Sequence, residues 1–188
     1  MHITTIVIAA AFAVSASSWK IPTGATNGIY SAHLDAAGVE VHTKLREIPT
    51  PSVKKSLTRG LSRRYEGQIF CGCGYNMDPG NCNAAVDSMK DGLRNEDGVF
   101  SYIPGHMAFY AIRNNVVAFA CNRGDGSYPL GANSFGADLA EITRYCGLYI
   151  AGSYQRAPDY AALITGYMRY SDGDDFCAAS TGSGAGNC

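Results

Sequence analysis

"HMAFYAIRNNVVAFACN" (His106–Asn122) is the stretch that decides the fold. Two apolar runs, His106–Ile112 and Val116–Asn122, flank Arg113-Asn114-Asn115. Asparagine tolerates the positive φ that tight turns demand, so the stretch reads as an antiparallel hairpin. Val117, Phe119 and Cys121 share one face of the second strand, because side chains alternate along a strand. An apolar sheet face needs a covering layer.

Working outward, that layer is supplied by two helices. "NCNAAVDSMKDGLRN" (81–95) carries Cys82, Val86, Met89 and Leu93 at helical spacing. "ADLAEITRYC" (137–146) carries Leu139, Ile142 and Cys146 on one stripe, and Gly147 is placed to end it. Further strands are expected at "QIFCG" (68–72), at Val99–Ile103 before the Pro104-Gly105 interruption, and at "ALITGYMRYS" (162–171). The order β-α-β-β-α-β predicts an α+β fold, a two-layer α/β sandwich of split βαβ type, with both helices on one sheet face. Its length fits a single domain.

The chain ahead of this domain has a different character. Ile3 to Val14 is a mostly apolar run of twelve, too short to span a bilayer, and "VSA" (Val14–Ala16) supplies small residues for a signal peptidase. Residues 1–16 are therefore read as a signal peptide, and the product as secreted, extracellular and without stable membrane insertion. Residues 17–64 contain no cysteine and carry eight basic residues against three acidic, a net of +5. Residues 65–188 carry seven basic against thirteen acidic, a net of −6. At the boundary stands "LSRR": Leu61 with the dibasic pair Arg63-Arg64. This resembles the sites cut by the subtilisin-like processing protease of the fungal late secretory route, whose acidic pockets suit the planar guanidinium fork. Residues 17–64 are read as a basic propeptide and 65–188 as the mature domain. Within the propeptide, "GVEVHTKLREI" alternates as a strand does and is expected to dock on the acidic domain.

All seven cysteines lie in the mature domain: Cys71, Cys73, Cys82, Cys121, Cys146, Cys177 and Cys188. In a secreted chain they read as disulfides, three bridges and one spare. Cys82 and Cys146 sit on inward helical stripes, within reach of strands. Cys177 and Cys188 flank "AASTGSGAGN" and are expected to close that run; residues 171–188 otherwise read as a flexible acidic and Gly-Ser tail. Cys71-x-Cys73 lacks zinc-ligand spacing, so neither a metal nor a cofactor is expected.

The mature domain keeps one histidine, His106, whose acid–base partner would have to be a carboxylate such as Glu66, Glu96 or Glu141. "SDGDD" places Asp172, Asp174 and Asp175 together without completing an EF-hand loop. Arg123-Gly124-Asp125 is a three-residue match to a receptor-binding motif, in a loop where the glycine also serves a turn. A net charge of −6 argues against a nucleic-acid partner.

The segments "VVAFACNRGDG", "ADLAEITRYCGLYIAGS" and "ALITGYM" together resemble the virally encoded killer toxins of smut fungi and their relatives among plant-pathogen effectors. An apolar strand precedes a helix ending in Cys-Gly, and a Leu-x-x-x-Tyr strand follows. The resemblance spans residues 68–171. Cysteine number and spacings depart from the toxins, so no target carries over. It implies a cysteine-rich secreted protein that binds a host or competitor surface component. The rival readings are a small hydrolase or ribonuclease using His106, and a cell-wall or adhesion protein.

Overall fold

The computed structural model describes residues 19–47, 67–94, 102–156 and 162–188. The hairpin forms as expected. β5 (Met107–Arg113) pairs with β6 (Val116–Asn122) in antiparallel register from Arg113↔Val116 to Met107↔Asn122. Asn114 takes the turn with φ 52°. Every residue of β6 is buried, which an alternating strand would not show. "VVAFAC" is a continuous apolar run, and such a run signals cover on both faces.

The hairpin lies inside a seven-stranded sheet. Its other strands are β1 (Gly28–Leu34), β2 (Glu40–Arg46), β3 (Gly67–Asn76), β8 (Ile150–Arg156) and β9 (Leu163–Arg169). The order is β2-β1-β5-β6-β9-β8-β3, and all neighbours are antiparallel. β4 (Tyr102–Ile103) and β7 (Tyr128–Pro129) form a separate two-stranded ribbon.

One sheet face is covered by α1 (Pro79–Gly92) and α2 (Ala132–Cys146). Asp78 caps α1 by accepting from Asn81 N at 2.8 Å, with Pro79 at the tolerated first position. Gly147, at φ 99°, follows α2 where a side chain would be strained. Cys82, Met89 and Leu93, with Leu139, Ile142 and Cys146, fill the core beneath. The other face is covered too. Trp19, Ile21 and α3 (Phe176–Ala179) pack on Tyr110, Phe119 and Ile164.

The architecture is thus α+β with an antiparallel sheet, and it departs from the expected two-layer order in three ways. First, the sheet is covered on both faces. Second, β8 was not expected after α2. Its Gly152 weakens the strand signal, yet packing demands it: a Cβ there would lie 2.6 Å from Ile142 Cγ2. Because both β6 and β8 run antiparallel to β9, α2 joins two strands of the same direction with β9 between them. Third, the alternating stretch expected to dock on the acidic domain does form a strand, β2, but its ladder partner is β1, which in turn pairs with β5. Of the strand expected at 99–103, only Tyr102 and Ile103 lie within the described residues.

Three disulfides join Cys71–Cys146, Cys73–Cys188 and Cys121–Cys177, and Cys82 is the buried spare. The expected Cys177–Cys188 bridge is corrected. α3 carries Cys177 onto the sheet face against Cys121, while the last residues run on to β3. Cys146 bridges to a strand as expected; Cys82 packs in the core beside the sheet but forms no bridge.

Candidate functional site

The C-terminal stretch read as a tail crosses the sheet face and then runs along β3, the edge strand. Ser153 Oγ donates to Ser180 O at 2.5 Å. Ser183 Oγ donates to Cys71 O at 2.6 Å, and Cys71 N donates to Ala185 O at 2.8 Å. Cys73–Cys188 pins the end. An edge strand has unpaired main-chain groups, and this segment takes them up.

Between this segment and the sheet lies a cavity of about 620 Å³. Its floor is apolar: Phe70, Phe119, Ala151, Gly152 and Met168. Its rim is polar, with Arg169, Asp174, Asp175, Ser180 and Ser183. The rim serines already donate to carbonyls of Cys177 and Cys71. Asp175 Oδ1 caps α3 through Ala178 N at 2.9 Å, and Asp174 Oδ2 accepts from Ser171 N at 2.8 Å. An apolar floor with a few fixed polar groups is the build of a binding site.

Exposed apolar side chains stand on its rim and on the nearby end of α2 and the turn that follows. Tyr75, on the rim, is 63% exposed; Leu148, in the α2–β8 turn, is 65% exposed; Tyr145 is 43% exposed. The segments that carry them are joined through neighbouring residues: Cys188 N donates to Tyr145 O at 3.1 Å and Met77 N to Tyr149 O at 2.9 Å. Two disulfides, Cys71–Cys146 and Cys73–Cys188, lock the same corner.

Asp174, Asp175, Cys71 and Cys73, singled out from the sequence, line this cavity, whereas His106 and the Arg-Gly-Asp stretch fall elsewhere. His106, with φ 54°, points its Nε2 at Asp125 Oδ1, 2.7 Å away. The partner is therefore an aspartate rather than one of the glutamates. Glu141 instead lies beside Arg144 on α2, and Glu66 and Glu96 lie outside the described residues. Asp125 belongs to the Arg-Gly-Asp stretch, so two separate sequence readings meet in one place. Arg123 is not splayed into solvent: its guanidinium donates to Cys177 O, and burial pushes its pKa down. Gly124 is held where a Cβ would meet Ala162 at 2.8 Å. Asn122 Nδ2 sits within 2.9 Å of three carbonyls, those of Ile103, Pro104 and Gly126, and fastens the loop to the His106 turn. Leu61, Arg63 and Arg64 lie outside the described residues.

Asp172, Asp174 and Asp175 form no ion cage. Asp172 Oδ2 accepts from Gly24 N at 2.8 Å, so the acidic loop is docked to the N-terminal segment. Among the described residues no group of three or more histidines, cysteines and carboxylates could hold a metal. No helix among them is long and apolar enough to cross a membrane.

Two polar clusters escaped the sequence reading. Glu40, His42 and Tyr110 form a chain: Tyr110 hydroxyl to His42 Nδ1 at 2.6 Å, and His42 Nε2 to Glu40 Oε1 at 2.5 Å. Burial pushes the Tyr110 hydroxyl far above its usual pKa. The alternation of β2 places Glu40 and His42 on one face, which was the available signal. The second cluster is buried under α2. Arg156 Nε and Nη2 donate to Asp138 Oδ2 at 3.0 and 2.8 Å, and Thr165 Oγ1 at 2.9 Å. Asp138 Oδ1 has no partner among the described residues, and burial raises the Asp138 pKa against the opposing pull of Arg156.

No family model, curated protein or solved structure matches this chain.

Proposed function

We propose that the protein is a secreted, protease-matured binding protein of effector or killer-toxin-like class. It engages a host or competitor surface component through the cavity beneath the C-terminal segment and the adjoining corner at Tyr75, Tyr145 and Leu148. The observation that carries this reading is the coincidence of exposed apolar side chains with two disulfides. Apolar area held rigid costs little ordering entropy on binding, and tyrosine joins apolar area to a polar tip. The disulfides also favour an oxidising compartment, in keeping with export.

The test is saturable retention of labelled protein on intact fungal and plant cells, protoplasts and isolated walls. Tyr75→Ser with Leu148→Ser should lower retention at least about tenfold, as loss of two buried anchors implies. Saturable binding nowhere, or binding indifferent to both substitutions, overturns the reading. Retention on walls alone would favour the structural wall protein.

The hydrolase reading draws support from one observation, the His106–Asp125 pair at 2.7 Å. A carboxylate that orients a histidine is half of an acid–base site. His106→Ala separates the two: it should leave retention unchanged, whereas loss of a hydrolytic activity would favour the enzyme.

A further inference from the structure

We propose that, once the chain is cut after Arg64, residues 19–47 stay in place as a noncovalent second chain. The inference rests on the processing proposed above and changes what that processing yields. The cut separates β2 from β3, and no disulfide crosses it, because residues 17–64 contain no cysteine. Everything that would hold the two pieces together is therefore packing and hydrogen bonding.

Those joints are of three kinds. The first is a sheet ladder. β1 pairs with β5 from Gly28↔Ile112 to His33↔Met107, and β2 lies outside it, so β1 is an interior strand. Its side chains enter both cores: Ile29 beneath the helices, Tyr30 and Ala32 on the opposite face. Tyr30 stacks on Tyr110 with ring centroids 5.1 Å apart.

The second joint is a strap across the opposite face. Trp19 is wholly buried and Ile21 nearly so, in one cluster with Tyr110, Phe119 and Phe176. The strap is pinned by the acidic loop. Ile21 N donates to Asp174 O at 3.2 Å, Gly173 N to Ile21 O at 2.8 Å, and Gly24 N to Asp172 Oδ2 at 2.8 Å. The third joint is polar: the half-buried contact of His42 with Tyr110, and an exposed bond from Asn114 N to Asn27 Oδ1 at 2.6 Å.

Departure of the segment would bare the β5 edge and the wholly buried Ala108, Tyr110 and Ile112 at once. Such a surface is an aggregation site. The docked segment 19–47 carries three basic and three acidic residues, so net charge adds nothing to the packing. The acidic "SDGDD" loop acquires a partner within its own chain.

The test uses the full chain from Ser17, secreted, with Arg63-Arg64 replaced by the recognition sequence of a site-specific protease. After complete cutting, the two pieces should elute as one species at micromolar concentration and separate only in denaturant. The thermal midpoint of the cut form should rise with protein concentration, while that of the uncut form stays flat, since only the cut form unfolds by dissociating. Trp19→Ser should weaken the cut complex at least about tenfold. It should leave the uncut chain folded, where the tether holds the segment at roughly millimolar effective concentration. A free 19–64 fragment at micromolar concentration overturns the inference, whether the disulfide-bonded piece stays folded or precipitates. A cut complex indifferent to Trp19→Ser also overturns it. Intact mass of the product from a fungal host tests the processing separately: an uncut product refutes that reading, while the engineered cut still decides retention.

Discussion

Removing the Cys73–Cys188 bridge is the sharpest way to ask what holds the C-terminal segment over the cavity. Taken alone, the bridge closes a loop with a sequence separation of 115. The other two bridges shorten that path: two residues back from Cys73, across to Cys146, back to Cys121, across to Cys177, then on to Cys188, a loop of about 38 residues. Chain-entropy arithmetic for a loop of that size gives about 4 kcal/mol. Cys73→Ser with Cys188→Ser should therefore lower unfolding stability by about 2–4 kcal/mol in a urea titration, the lower figure allowing for structure in the unfolded state. The loss should be uneven. Hydrogen exchange at Cys71 N, which donates to Ala185 O, should quicken more than exchange within β5 and β6, which lie far inside the sheet. A stability loss under about 1 kcal/mol with Cys71 N still protected would refute the reasoning. The serine bonds to Ser180 O and Cys71 O would then suffice to hold the segment.

Asp138→Ala leaves the Arg156 charge buried without its partner and should cost about 3–5 kcal/mol in the same titration; Asp138→Leu with Arg156→Met should recover most of it. Because burial raises the Asp138 pKa in the folded state, its contribution is greatest below its unfolded pKa and is lost as pH rises through the folded one. Asp138→Asn should remove that part of the pH dependence, as read from unfolding midpoints across the acidic range. Gly152→Ala should destabilise by about 1–3 kcal/mol, since its Cβ meets both Ile142 and the Phe70 carbonyl. The Cys82 thiol is pushed up to about 11 by burial; it should resist iodoacetamide in the folded protein and react on unfolding, with one alkylation detected by mass.

Those elements that declare themselves locally were legible in the sequence. The β5–β6 hairpin follows from Asn114 between apolar runs; both helices follow from their apolar stripes, with Gly147 marking the end of α2, while their starts at Pro79 and Ala132 lie ahead of the stripes. β8 was hidden because Gly152 and Ser153 interrupt the apolar pattern, and the demand for glycine comes from α2, which packs on it. β1 was hidden because its role depends on β5, some 80 residues away. The bridge pattern could not be read for the same reason: a tertiary path, not spacing, brings Cys188 beside Cys73. The cavity was invisible because its walls come from β3, β6, β8, β9 and the C-terminal segment together. Only the pairing of His106 with a carboxylate was foreseen in kind, and its partner differs.

β1 is synthesised long before the strand it must lie against. At about 5–20 residues per second, the interval from Tyr30 to Tyr110 lasts about 4–16 s. β3 waits a comparable time for β8. Through that interval Cys71, Cys73 and Cys82 are together in the growing chain, and none of their native partners exists yet. Any bridge formed among these three in that interval is one the finished fold does not contain, and Cys82 has no native partner to compete for it. If the chain is oxidised while it is being made, its native bridges form by disulfide isomerisation, and Cys82→Ala should raise the yield of native protein.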